Sequence, residues 1–143
     1  AGAGVQVGGL TDLDALRQGA SAAEAVIHLA FANDFSSPEA LLRAVAEEHA
    51  ALEAMGEAIV GSDRAFVVSS GTPYVQGRVS VESDPVPTEG PVAGRGRSAN
   101  AVLALADHGL RTSAIRLPRT VHRNGAGGFG GMLARFAALR DGL

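Results

Sequence analysis

Apolar and polar positions along the chain alternate between two rhythms. Short unbroken apolar runs of strand length are separated by stretches with apolar residues every three or four positions. The run Ala25-Val26-Ile27-His28-Leu29-Ala30-Phe31 predicts a strand buried on both faces, as in a parallel sheet. Ser37-Pro38-Glu39 then opens a helix, with Ser as the cap, Pro in the first turn and an acid beside the N-terminal dipole. Leu41, Leu42, Val45, Leu52, Met55 and Ile59 follow at helical spacing, so 38–60 reads as one amphipathic helix ended by Gly61. Ala65–Ser69 predicts a second buried strand, 97–108 a helix closed by Gly109, Thr112–Leu117 a third strand, and 128–140 a last helix.

The front is less regular. Val5, Val7 and Leu10 predict a brief strand among glycines. Thr11 predicts the cap of a short helix ending near Gly19. Strand-helix alternation of this kind predicts an α/β fold, a partial Rossmann-like three-layer arrangement with a mostly parallel sheet, as one domain over residues 1–143. In such a sheet the strands end on one rim, and ligands bind outside those carboxyl ends. The rim would gather the loops 30–34, 69–74 and 118–124. Asn33, Asp34, Ser70, Thr72, Tyr74 and His122 are its polar groups. The stretch 71–96, with four prolines, is longer than most loops of compact domains, and such loops often carry function.

Composition narrows the chemistry. The 143 residues carry a net charge of -3, which argues against a phosphate-tracking nucleic-acid binder or a membrane-surface protein. No apolar window is long enough to cross a membrane, and the first residues lack the basic and apolar regions of a secretory signal. The expectation is a cytoplasmic protein. Cysteine is absent, which removes disulfides, thiolate metal sites and thiol catalysis. All 12 basic residues are Arg, so no lysine is available to any mechanism.

Several residue groups could carry chemistry. Ser69, Ser70 and Thr72 stand where the second long strand leaves the sheet. Their hydroxyls suit a substrate carbonyl or alcohol, or else satisfy the turn backbone. The nucleophile elbow G-x-S-x-G does not match, because Val67 and Val68 occupy the first glycine position. A Ser–His hydrolase with His122 as base is the least favoured reading. Gly125–Gly130 matches G-x-G-x-x-G literally, but seven residues separate it from Leu117 and it reads as a flexible glycine loop. His28 reads as a satisfied core histidine, His49 as a partly exposed helix residue and His108 as a helix-end charge. Glu47, Glu48, Glu53 and Glu57 read as a solvated helix face, and Arg95 and Arg97 as exposed loop arginines. Arg116, at a strand end, needs a partner. No two histidines have helix-face ligand spacing, so no metal site is expected.

Gly8-Gly9-Leu10-Thr11-Asp12 resembles a G-D-L-x-D motif, Val26–Ala30 V-I-H-L-A, Val67–Tyr74 a fifth strand with its serine, and Gly109-Leu110-Arg111, Arg116-Leu117-Pro118 and Val121-His122 G-L-R, L-R-P and V-Y-G. In this order the segments resemble the extended or atypical short-chain dehydrogenase/reductases of the NAD-dependent epimerase/dehydratase group. The resemblance implies NAD or NADP as cofactor and a small-molecule substrate. Gly8 and Leu10 would lie near adenine, Ala30 and Phe31 beside the ribose and nicotinamide, and Ser69 and Pro118 also at the cofactor. Ser70 or Thr72 would polarise the substrate oxygen. It also implies a homodimer through helices 38–60 and 97–108.

Three departures accompany it. Gly9 replaces the family's adenine-contacting Asp. No Tyr-x-x-x-Lys occurs in 91–100. The family's glycine-rich strand-helix-strand front is absent. The expectation is therefore a fragment or truncated form that alone binds dinucleotide weakly or not at all. A non-catalytic cofactor-sensing or interaction module is the alternative.

Overall fold

In the computed structural model, residues 2–86, 89, 93–118, 131 and 138 are described. The order is α1 (Leu13–Ala22), β1 (Ala25–His28), α2 (Pro38–Ile59), β2 (Ala65–Gly71), α3 (Ala93–Ala104), a 3-10 turn (Leu105–His108) and β3 (Arg111–Leu117). The strands form one parallel sheet in the order β1-β2-β3. The chain is a partial Rossmann-like α/β fold.

Local chemistry sets the element ends. Ser37 Oγ accepts from the Ala40 N–H at 3.1 Å, with Pro38 in the first turn, so α2 begins where its cap predicts. The cap of α1 is Asp12 rather than Thr11. Its carboxylate accepts from the Ala15 N–H at 3.2 Å. Nor does α1 stop at Gly19. It runs to Ala22 because Arg64 Nη1 satisfies its last carbonyls, donating to Ala20, Ser21 and Ala23 at 3.3, 2.9 and 3.0 Å. Helix α3 begins at Ala93, four residues before the expected start, which puts Arg95 and Arg97 on a helix instead of in a loop. Its last turn tightens into the 3-10 turn, and Gly109 ends it in the left-handed region at φ 79°.

The two glycine turns are built as a pair. Gly61 (φ 74°) ends α2 and lies against Gly109, where an added Cβ would sit 3.2 Å from Gly61 Cα. The Gly61 N–H donates to His108 O, and the Asp63 N–H to Gly109 O, each at 2.9 Å. These bonds lace together the entries to β2 and β3 and set their register, Ala65 opposite Arg111.

Right-handed crossovers stepping one way across the sheet place α2 and α3 on the same face. A single core results, with Val26, Phe66 and Val68 of the sheet against Ala51, Leu52, Met55 and Ile59 of α2 and Ala99 and Val102 of α3. Helix α1 joins the same layer through Ala20 and Leu16. The alternate strand positions face away. Ile27 is 65% exposed, Ile115 48% and Leu117 51%. The expectation of strands buried on both faces therefore fails for β1, where only Val26 and His28 are buried. That strand also stops at His28 rather than Phe31.

Val5, Val7 and Leu10 form no strand. Residues 2–9 are exposed and irregular, because no neighbouring strand accepts their backbone groups. The segment is held instead to α1 by Gln6 Nε2, which donates to Ala15 O at 2.7 Å. It closes a cavity of about 290 Å³ against α1 and the free edge of β1, lined by Val7, Leu16, Ala20, Val26, Ile27 and Met55 among others. Of the expected helix at 128–140 Gly131 and Ala138 are described, both helical; the rest of it, the glycine loop 125–130 and His122 lie outside the described residues.

Candidate functional site

Parallel pairing brings the carboxyl ends of β1, β2 and β3 to one rim. Beneath that rim, on the helix side of the sheet, lies a polar cluster that no single sequence element announces. Glu48 of α2 is 1% exposed, and Arg95 of α3 reaches it with two nitrogens. Nε contacts both carboxylate oxygens at 3.1 Å and Nη2 contacts Oε1 at 2.8 Å. Such forked pairing suits guanidinium and carboxylate. The guanidinium carbon also lies 4.3 Å from the centroid of the Phe31 ring. Nη2 approaches the Ser69 carbonyl at 3.5 Å. One side chain thus ties α2, α3, the loop after β1 and the end of β2 together. Burial is the largest influence on Glu48 and pushes its carboxyl up, while hydrogen bonding and charge from Arg95 draw it back down.

His28, the last residue of β1, borders this cluster. It is 5% exposed, and its Nε2 has no hydrogen-bond partner. Burial pushes its pKa below 6.5. A ring N–H bond to the backbone of Ala30 opposes that shift, and the Arg95 charge reinforces it. The imidazole is therefore neutral at neutral pH, with the unpartnered Nε2 as the acceptor nitrogen. His28 is buried as expected for a core histidine, but it is not satisfied.

Ser69 and Ser70 are both buried at the end of β2, at 5% and 4% exposure. Ser70 shares the helix-facing side with Phe66 and Val68. Thr72 is half-buried, and its N–H donates to the Leu117 carbonyl at 3.1 Å. Ala30 and Pro118 are exposed beside them, and Phe31 is half-buried under Arg95. Gly8 and Leu10 do not belong to this group. They lie beside α1, with Gly8 facing Ala15 and Asp12.

The loop after β2 folds back over β3. Arg78 grips Asp84 with both terminal nitrogens, and the Val81 N–H donates to the same carboxylate at 2.8 Å. Arg78 holds the Asp84 carboxyl well below the usual range, at about 2. The strand-end Arg116 finds its partner here, donating to the Val81 carbonyl at 3.4 Å. Tyr74, the one tyrosine, points outward at 75% exposure. Asn33 and Asp34 are spent on their own turn, bonding Phe31 O and Ser36.

The rim offers hydroxyls, an aromatic ring and exposed apolar positions. A pyrophosphate finds no cradle among the described residues. The N-termini of α1 and α2 carry Asp12 and Glu39, and Gly94 at the start of α3 is filled by Val45. Among the described residues no group of His, Asp and Glu could hold a metal ion, and no helix is long and apolar enough to cross a membrane.

A serine-histidine pair does occur, but elsewhere. His49 Nδ1 is 3.2 Å from Ser98 Oγ, and Nε2 is 3.3 Å from Glu53. Ser98 is 1% exposed in mid-helix, where the neighbouring N–H groups are engaged along α3 and cannot stabilise an oxyanion. The trio joins α2 to α3 and is not arranged for hydrolysis.

Glu48, Arg95 and His28 were missed by sequence reasoning. A signal for Glu48 existed. It falls on the four-residue spacing Ala40, Ala44, Glu48, Leu52 that marks the buried stripe of α2.

No protein-family model and no solved structure match the chain. Two curated relatives do. The uncharacterized protein C2A9.02 of Schizosaccharomyces pombe is 34% identical over 139 residues, covering 96% of this chain and 45% of its own length. The uncharacterized protein YLL056C of Saccharomyces cerevisiae is 30% identical over 131 residues, covering 91% of this chain and 43% of its own length. The chain thus spans less than half the length of the curated relatives it matches.

Proposed function

We propose that the chain is the central part of an NAD(P)-dependent oxidoreductase or epimerase-like protein that acts on a carbonyl or alcohol. One observation carries the reading most. Three parallel strand ends share a rim, with Ser70 and Thr72 at and just after the end of β2, the neutral imidazole of His28 at the end of β1, and Arg95 reaching the Ser69 carbonyl between them. Such rims are where open α/β sheets take their ligands. The order of short-chain dehydrogenase-like motifs supports it further. Ser70 or Thr72 orients the substrate oxygen, and Ala30, Phe31, Ser69 and Pro118 border the cofactor's reactive end. The pyrophosphate cradle comes from the portion of the longer protein that this chain does not span.

The second reading is a non-catalytic module that senses the cofactor or a partner. It is favoured by the outward Tyr74 and the absence of lysine. A homodimer through α2 and α3 fits either reading, since Leu42 of α2 and Val60 just beyond its end are exposed.

The test is a fluorescence titration with NADH and NADPH, on this chain and on the full-length fission-yeast relative. Binding by the longer protein with weak or no binding by the chain is expected. No binding by either overturns the cofactor reading. Binding without turnover of any alcohol selects the sensing module.

A further inference from the structure

The buried Nε2 of His28 is an unsatisfied acceptor, and leaving one costs about 1–3 kcal/mol. A group held in that state calls for a donor. His28 pairs in register with Val68, so Ser70 lies two residues further along the neighbouring strand on the same face. Strand spacing of about 4.8 Å and a rise of about 3.3 Å per residue put the two Cα atoms about 8 Å apart. Two inward side chains at that separation leave room for about one water.

We infer that His28 is the proton acceptor of the rim, working through Ser70 on a hydroxyl-bearing ligand. This rests on the oxidoreductase reading for its ligand but not for its geometry. The step is a proton transfer alone. The ligand O–H bond breaks toward Ser70 Oγ, the Ser70 proton passes along the intervening water, and an N–H bond forms at His28 Nε2. No lysine or rim tyrosine is needed. The charged group facing His28 is Arg95 from α3, and Arg95 is already paired with Glu48 from α2, so the new imidazolium enters a compensated pair rather than a bare cation. The sheet contributes the hydroxyls of Ser69 and Ser70 at this level, and from β3 the guanidinium of Arg116, which is in register with Ser70 and turned to the Val81 carbonyl. The ligand class that fits is a neutral alcohol or its carbonyl partner, because Arg95 is committed to Glu48 and Arg116 is turned to the Val81 carbonyl, where Asp84 balances its charge.

The experiment has two arms. Histidine-selective 15N labelling of the chain reads the tautomer of His28. The expected result is a neutral ring protonated at Nδ1, with an Nε2 resonance that shifts in Ser70→Ala and stays put in Ser113→Ala on the opposite face. An Nε2 resonance indifferent to Ser70→Ala overturns the proposal. In the intact protein, turnover of a simple alcohol with the oxidised nicotinamide cofactor gains an acidic limb set by His28. His28→Asn removes that limb and lowers the rate about a hundredfold. An unchanged profile in a folded His28→Asn protein also overturns it. If the intact protein turns over nothing, the oxidoreductase reading falls, while the resonance arm still decides the His28–Ser70 link.

Discussion

Arg95 and Glu48 meet across the α2–α3 boundary with the carboxylate almost wholly buried and the guanidinium a quarter exposed. Removing one member strands the other. Arg95→Ala is expected to lower stability by about 3 kcal/mol, since an uncompensated buried carboxylate is left behind. The double variant Arg95→Met/Glu48→Leu should recover most of the loss, as apolar replacements of buried pairs often do. Urea denaturation of the single and double variants checks both.

His28 makes stability depend on pH in a definite direction. Its folded-state pKa lies below 6.5, so the folded protein binds this proton less readily than the unfolded chain. The associated stability is complete above pH 6.5 and is lost as pH falls through the lowered folded-state value. Denaturation midpoints over that window should decline in the parent and decline less in His28→Gln. A variant with the parent's slope would assign the dependence to another group.

Two helix glycines should respond differently to alanine. A Cβ at Gly94 overlaps Val45 Cγ1 inside the α2–α3 contact, whereas at Gly56 it meets the tip of Leu105, which can turn aside. Alanine favours helix by about 1 kcal/mol over glycine. At Gly94 overpacking outweighs this, giving a net loss of about 1–3 kcal/mol. At Gly56 the two effects nearly cancel. Thermal melts of Gly94→Ala, Gly56→Ala and Gly94→Ala/Val45→Ala separate them, with the double variant regaining stability over Gly94→Ala.

Arg64 closes the end of α1 from a distance, serving three carbonyls. Arg64→Ala should leave the sheet intact and fray the last turn of α1, costing about 1–2 kcal/mol. Hydrogen exchange should speed up over residues 19–22 and stay unchanged in β2.

Some of this was legible in the sequence. Ser37-Pro38-Glu39 specifies where α2 starts because its chemistry is local, and β2 stands out because Ala65-Phe66-Val67-Val68 is a continuous apolar run. The start of α3 was hidden. Gly94, Arg95 and Gly96 are a weak helix signal, and only packing against Val45 makes glycine the fitting residue there. The face taken by Glu48 was hidden for a similar reason. Its inward turn depends on Arg95, which is 47 residues away in sequence. Ser69, Ser70 and Thr72 were placed at the rim by position alone. The imidazole beneath them was read as ordinary core because a strand pattern reports burial and says nothing about whether a buried nitrogen is partnered.

Among the described residues no helix packs on the second side of the sheet, which makes the concentration of the isolated chain a variable to control. Ile27, Ile115 and Leu117 lie on that side, and the free edge of β1 carries neither a charge nor a proline to repel another strand. Two chains that meet there can share backbone hydrogen bonds and apolar area at once. Midpoints, titrations and exchange rates for this chain should therefore be compared across a dilution series.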